Sequence, residues 1–540
     1  MLWLTIFFRK NKQEPILSLT NSKSTGTDYI DTFIIKLVAD DIVNPLTHIV
    51  NLSMQKSVFP SMWKHAKVVP LLKKGDPLIA KNYRPVALLP VFSKILERVV
   101  FNQLVNYLEI NNLVHPNHHG SRSGYSTTTA LIQMYDTWAE EVDKGNMVGV
   151  MMVDLSAAFD MVDYNLLLQK LQLFGLDRVA VAWMSSYLIG RKQSVLVDGS
   201  LSPPLGINCG VPQGSILGPL MYILYTNDIP DLPHNHPVSA ADPVPYCHEC
   251  GATVCYVDDS TYSFAHSDPV VLTSTLTSEY EKISKYMAAN KLVINDDKTH
   301  LLVLGTRSMG VKRNMVNIKA GNHIIVPSKQ EKLLGCMVSD NLNWRHHILD
   351  GEQAMVKQLT SRVNALSKIS SKADFHTRLM TANGIVMSKV CYLIQLWGGC
   401  EGYLLHSLQV QLNKAARMVT RSTGFTSTRK LMTACGWLSV KQMVFYQSAS
   451  MVHKILLTRK PYYLYSRFNM DYSYRTRQQT RGCIRFDETF RFNGDLPKNS
   501  FRCRGATSYN SIPDSIRASL TMATFKSKLR KWTRTNISLE

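Results

Sequence analysis

Carboxylates are scarce in this chain. Its 540 residues hold 40 Asp and Glu against 61 Lys and Arg, a formal charge of +21 at pH 7. That balance excludes an acidic solvating protein, and a folded chain so rich in cations fits a polyanionic partner, nucleic acid first. Long apolar runs are missing as well. No stretch reaches the ~18 continuous apolar residues of a spanning helix, so no membrane passage is expected. Cysteine is sparse at 10 residues, which excludes a secreted disulfide scaffold and suits a reducing, intracellular compartment. The opening segment Met1–Lys10 carries its charge after its apolar run, the reverse of a secretory leader. No fixed repeat period is visible, which argues against a solenoid or propeller.

What is present describes a globular chain: 45% apolar and 19% charged residues, with length for about three to five packed units. Helical periodicity from about Asp31 gives way to a basic strand-like segment, Ala66–Lys74. Val91, Ile95, Val99 and Leu104 mark an amphipathic helix. Met147–Leu155 is an apolar run ending at Asp154, the pattern of a strand covered on both faces. A second helix-length apolar stretch follows Pro219, and Leu272, Leu276, Tyr280, Ile283 and Met287 predict another helix. Thr253–Phe264 reads as a tight hairpin about Asp258-Asp259. Beyond residue 350 the stripes Val356, Leu359, Val363, Leu366, Ile369 and Leu405, Leu408, Leu412, Ala415 are helical. Residues 461–540 hold 15 Lys and Arg against 6 Asp and Glu. The expected class is α+β, with a helical and basic C-terminal part.

Two features carry chemistry. Asp154 at a strand end and Asp258-Asp259 at a hairpin tip lie 104 positions apart, so only folding could join them. Joined, they make a dense negative site suited to Mg²⁺ or Mn²⁺, two ions about 4 Å apart serving phosphoryl transfer. Separately, they are a turn and a helix cap. The Pro- and His-rich stretch 231–252 is an inserted loop whose His234, His236, Cys247 and Cys250 have zinc-ligand chemistry, Zn²⁺ being one reading and an ordinary exposed loop the other.

The surroundings of these aspartates resemble the reverse transcriptases of non-LTR (LINE-type) retrotransposons, in order over roughly residues 25–345. The blocks are Asn82–Leu89 with Lys94 and Glu97, His119–Thr127, Val153–Asp160, Gly210–Pro219, Tyr256–Asp259, Asn295–Thr299 and Leu333–Cys336. His119-Gly120-Ser121-Arg122 departs from the more usual Gln-x-Gly-Phe-Arg. The resemblance implies a right-hand polymerase: fingers mainly in 25–146 after an unassigned 1–24, and a palm with antiparallel sheet in 147–335, holding an interleaved finger segment. A helical thumb in 336–460 and the basic region 461–540 complete it. It implies RNA-directed DNA synthesis with dNTPs on an RNA template and a DNA primer or target. The setting would be a ribonucleoprotein in nucleus or cytoplasm. Asp154, Asp258, Asp259 and the Leu155 carbonyl would hold metal; Lys298 would act on the leaving pyrophosphate. Arg84 and the Lys73-Lys74 pair would meet the triphosphate, Phe159 would exclude a 2′-hydroxyl, and Gln213 with Gly214 would contact template or nucleotide. An endonuclease is usual ahead of such a polymerase, and residues 1–24 leave no room for one. A viral RNA-dependent RNA polymerase is the enzymatic rival, which Phe159 and Pro212-Gln213-Gly214 disfavour. A catalytically lapsed, transposon-derived RNA-binding protein is the other reading. For the C-terminal region the charge, with Tyr462, Tyr463, Phe468, Tyr472, Phe486 and Phe490, suggests aromatic faces stacking on single-stranded RNA.

Overall fold

The strand Met147–Val153 is the middle of a five-stranded sheet in a computed structural model that describes residues 13–232, 252–321, 323–468, 486 and 492–539. Across that sheet the order is Pro327–Ser328, His300–Leu304, Met147–Val153, Asp259–His266, Ala252–Tyr256. Val150 pairs antiparallel with Ser263 on one side and Leu302 on the other. The uninterrupted apolar run has a simple cause. Side chains alternate along a strand, and both faces are covered. Val148 and Val150 enter one core, with the helix Thr127–Asp143 and the C-terminal helices. Met147, Met151 and Val153 enter the other, beneath the helices Val91–Ile110, Tyr164–Leu173, Arg178–Leu188, Gly218–Tyr225 and Pro269–Ala289. Gly149 lets the last of these sit close, since a Cβ there would strike the side chain of Leu276.

A second sheet supports the site from the side. His65–Leu72 runs antiparallel to Tyr83–Leu88 and parallel to Arg191–Val197, with Leu205–Ile207 beyond. The hairpin Gln330–Leu333/Cys336–Ser339 turns through Leu334 and Gly335, both at positive φ. The protein is thus a mixed α/β fold of several sheets and many helices. Among the described residues no helix is long and apolar enough to cross a membrane.

The expected C-terminal stripes bury Leu359, Val363 and Leu366 on Met355–Ser370, and Leu408, Leu412 and Ala415 on Gly402–Thr420. Ile369, one residue from its helix end, stays 40% exposed. The aromatic reading of the basic region needs correction. Tyr463, Phe468 and Phe486 are core residues at 2%, 5% and 4% exposure, packed with Phe501, Tyr509 and Phe525. Only Tyr462 of those described is exposed; Tyr472 and Phe490 lie outside the described residues. Helical periodicity buries the partners of these rings further along the chain. On Met522–Asn536, Phe525, Leu529 and Thr533 recur every fourth residue and face inward, while the lysines between them face water. The described part of the region belongs to the core, with Lys526, Lys528 and Lys531 on its surface and Arg517 buried.

Candidate active site

Strand, hairpin and two loops bring the site together. Asp154 follows the last residue of Met147–Val153, where an isolated bridge, Leu155 to Ile294, extends the chain one step further. That bridge uses the Asp154 carbonyl, which accepts from Asn295 N at 2.9 Å, and the Ser156 amide, which donates to Val293 O at 2.8 Å. The Leu155 carbonyl is not used in it. Beside this strand the hairpin Ala252–Tyr256/Asp259–His266 closes through a two-residue turn, Val257-Asp258, with Tyr256 paired to Asp259. Val257 sits at φ 60°, a left-handed conformation that costs a β-branched residue and persists where surroundings impose it.

Those surroundings are the segment Asn117–Gly120. His119 N donates to Cys255 O at 2.8 Å and Cys255 N to Asn117 O at 2.9 Å, so this segment continues the sheet past its outer strand. A Cβ on Gly120 would overlap the Val257 Cγ2 methyl and stand 2.9 Å from its backbone nitrogen. The buried His119 ring meets Gln133 at 2.8 Å and Thr129 at 3.2 Å, both on Thr127–Asp143. Burial pushes its pKa down to about 3, so it is neutral.

Asp259 feels the other two aspartates. Asp258 and Asp259 reach solvent, yet the Asp259 carboxyl is pushed up to about 6, first by desolvation and then by the charges of Asp258 and Asp154. Lys298 Nζ stands 3.6 Å from Asp154 Oδ2, a partly exposed pair. Among the described residues no three His, Cys, Asp or Glu side chains form a ready-made metal cage. The donors do suit Mg²⁺ or Mn²⁺, which take hard oxygens, commonly one or two carboxylates completed by water and phosphate. His234, His236, Cys247 and Cys250 lie outside the described residues.

The other expected residues lie on the turn after Asp154, on the Pro-Gln-Gly loop and on the second sheet. Ala157, at φ 49°, folds the chain back after Asp154, and the short turn Ala158–Asp160 follows. Phe159 is half-buried, its ring stacked on Tyr222 at 4.7 Å between centroids. Its carbonyl accepts from Val211 N at 2.8 Å, tying it to the Pro-Gln-Gly loop. In that loop Gln213 Nε2 donates to Asp160 Oδ1 at 3.1 Å, and the Gln213 carbonyl accepts from Ala87 N at 2.8 Å. Gly214 has φ 130°, and a Cβ there would overlap the Ala87 carbonyl oxygen, so glycine permits the close approach. The Asp160 carboxyl is raised by burial and lowered by Gln213 and by Lys73, which places Lys73 near this loop. Arg84 is exposed on Tyr83–Leu88, opposite Leu71.

Two supports had no role assigned from sequence. Glu97, fully buried, accepts from Ile216 N at 2.8 Å and Leu217 N at 3.2 Å, holding the loop where it enters Gly218–Tyr225. Tyr222, on that helix, is the shelf for Phe159. An acid amid the apolar residues of Val91–Ile110 was the available signal for the first; nothing local marked the second.

Residues 71–338 match the family model described as reverse transcriptase (RNA-dependent DNA polymerase). The chain is 26% identical over 422 residues to the RNA-directed DNA polymerase from mobile element jockey of Drosophila funebris, covering 78% of this chain and 44% of that protein. It is likewise 26% identical over 413 residues to the probable RNA-directed DNA polymerase from transposon BS of Drosophila melanogaster, with 75% and 44% covered. A shorter match, 24% over 178 residues, reaches a Pol polyprotein of the type-1 retrotransposable element R2 of Popillia japonica, with 32% and 24% covered. The chain spans 44% of the first relatives' length. With that match centred on the residues just described, the chain belongs to the reverse transcriptase family, among relatives from non-LTR retrotransposons.

Proposed function

We propose that this protein is an RNA-directed DNA polymerase that extends a primer 3′-hydroxyl on an RNA template with dNTPs. One observation carries the reading. Asp154 and Asp258-Asp259, remote in sequence, meet at one end of the sheet, where Val153 pairs with Ser260 beside the turn that Tyr256 and Asp259 close, and there the charges of the other two add to burial in raising the Asp259 pKa. Like charges so gathered are destabilising alone and useful where they share cations with a triphosphate. Two Mg²⁺ or Mn²⁺ ions held by Asp154, the Leu155 carbonyl, Asp258 and Asp259 would supply Lewis-acid activation of primer hydroxyl and phosphate.

The chain's own residues do the rest. Arg84 and Lys73 bind the triphosphate, the arginine fork being suited to phosphate. Gln213 and the backbone at Gly214 orient nucleotide against template, with Asp160 fixing the Gln213 amide. Phe159 fills the space of a 2′-hydroxyl, supported by Tyr222. Lys298, beside Asp154, delivers a proton to the departing pyrophosphate. In this reading residues 25–146 are mainly fingers and 147–335 palm, with the inserted loop 231–252; 336–460 are thumb, and 461–540 a basic, core-anchored extension. RNA template and DNA primer or target are the partners, within a ribonucleoprotein.

Primer extension on an RNA template with Mg²⁺ and dNTPs tests the proposal. Asp258→Ala should lower incorporation by about a thousandfold or more, the scale of a lost electrostatic stabiliser, with melting temperature maintained. Wild-type extension by that variant would refute the assignment. RNA binding by the wild-type chain without any extension would favour the lapsed, RNA-binding alternative.

A further inference from the structure

A cavity of about 390 Å³ lies against the second sheet, on the face opposite Arg84, lined by Ala66, Val68, Pro85 and Ala87 and reaching Gln213. Neighbouring strand residues face opposite ways, so Arg84 lies across the sheet from this space, which adjoins the position expected for the incoming nucleotide only at Asp160 and Gln213. Its walls hold two unsatisfied polar groups. Arg191, 1% exposed, donates Nη1 to Tyr187 O at 3.0 Å and lies over the Tyr187 ring, but Nε and Nη2 have no hydrogen-bond partner. Among the described residues no carboxylate pairs with it. The Tyr164 hydroxyl, also lining the cavity, is buried and unpartnered too. Burial raises its pKa to about 12, with Arg191 pulling it down, so it is a neutral donor near that guanidinium.

A buried guanidinium cannot shed its proton, and leaving it without an anion is costly. Nε–H and Nη2–H form one edge of the planar fork, the edge that grips two oxygens of one phosphate. Asp160 is the one acid on the lining, and its carboxylate is engaged by Gln213. The volume accommodates a nucleotide-sized group, and the apolar strand residues offer a base a wall.

We propose that this cavity is a second nucleotide site, in which Arg191 binds a phosphate group through Nε–H and Nη2–H and Tyr164 donates its hydroxyl to the same group. The anion site follows from the geometry; the choice of a nucleotide rests on the polymerase reading. The phosphate can come from a free nucleotide or from the template strand.

Cys209 provides the readout, because it lines the cavity and its thiol is exposed. The full-length protein is alkylated with iodoacetamide in the presence of inorganic phosphate, AMP or a 5′-phosphorylated RNA oligonucleotide, and modification of Cys209 is followed by peptide mass spectrometry. A bound probe should slow that modification about tenfold at about ten times its dissociation constant, by mass action. Arg191→Met should abolish protection. Tyr164→Phe, which keeps the packing if the arginine variant fails to fold, should weaken probe affinity about tenfold, the loss of one hydrogen bond to a charged group. Protection by AMP assigns the free nucleotide, and protection by RNA alone assigns the strand. Protection by phosphate but by neither nucleotide probe overturns the nucleotide assignment. No protection by any probe, or equal protection in both variants, overturns the site. Asp258→Ala should retain protection while losing primer extension, so failure of the polymerase reading is seen separately.

Discussion

Gly120→Ala tests whether the carboxylate hairpin is held from behind. The added Cβ would stand 2.9 Å from the Val257 backbone nitrogen, where ordinary contact begins at about 3.5 Å. The turn must therefore retreat by about 0.6 Å, and the overlap with Cγ2 adds to that. Retreat is resisted, because His119 N and the Asn117 carbonyl are hydrogen-bonded to Cys255 three residues before Asp258. A displacement near 1 Å at a reacting group costs about 100-fold, so kcat for single-nucleotide incorporation should fall about 10- to 100-fold. That is about 1.4–2.7 kcal/mol in the barrier. Val257→Ala should relieve part of it by removing Cγ2, so the double variant should outperform Gly120→Ala, a coupling a double-mutant cycle would measure. Gly402→Ala, whose Cβ meets nothing within 4 Å, is the control. The assay is rapid-quench primer extension with melting curves for each variant. Wild-type rates in Gly120→Ala, or no recovery in the double variant, would refute the bracing argument.

Phe159→Ala should raise the rNTP/dNTP incorporation ratio about tenfold or more, a specificity change of about 1.4 kcal/mol, and Tyr222→Leu should raise it less by loosening the ring's shelf; single-nucleotide insertion with matched rNTP and dNTP decides. Because the folded Asp259 holds its proton up to about pH 6, above an unfolded carboxyl, metal-free stability contributed by this group is greatest at low pH and falls as pH rises from about 4 to 6. Asp136, buried and likewise raised to about 6, adds a slope of the same sign, so Asp259→Asn should reduce the slope without abolishing it and raise the melting temperature at pH 8. Primer extension should move the opposite way, falling as the pH drops and protons compete with the metal ions for the carboxylates; thermal melts without metal and rates with it across pH 4–8 compare the two trends. Exchanging the exposed pair Lys526 and Lys531 for glutamine should flatten the plot of log RNA affinity against log salt by about 1.4, at about 0.7 per single-strand phosphate, whereas deleting residues 461–540 should unfold the protein by stripping its core.

Much of this arrangement is legible in the sequence where chemistry and periodicity agree. Two strand-like stretches about an Asp-Asp announce the hairpin, although its turn falls on Val257-Asp258, one residue before the Asp258-Asp259 centre expected, with Asp259 in the strand; an apolar run with no polar alternation announces Met147–Val153. The Gly214 approach follows from a glycine beside Pro212-Gln213. What escapes is non-local or two-faced. Asn117-His118-His119 has no strand pattern, because its ladder partner is Cys255 and its imidazoles are held elsewhere, His119 by Thr129 and Gln133 and His118 by the Thr226 carbonyl. The stacked pair Phe159–Tyr222 joins positions that no local spacing relates. In the C-terminal region arginines and aromatics alternate closely, and composition alone cannot tell a stacking surface from an amphipathic helix. The four-residue recurrence of Phe525, Leu529 and Thr533 decides for the helix.

The anchoring of the C-terminal region also sets a clock. Asp136 accepts a hydrogen bond from the Phe501 amide, 365 positions later, and Thr129 from the Tyr463 hydroxyl, 334 positions later. At about 5–20 residues per second of synthesis, about 20–70 s separate the making of Asp136 from the making of Phe501. Through that interval the nascent helix Thr127–Asp143 waits on the ribosome without the partners that cover one flank. Any transcript broken before codon 501 releases a chain with that flank bare, a substrate for chaperones and proteases before it can meet a template.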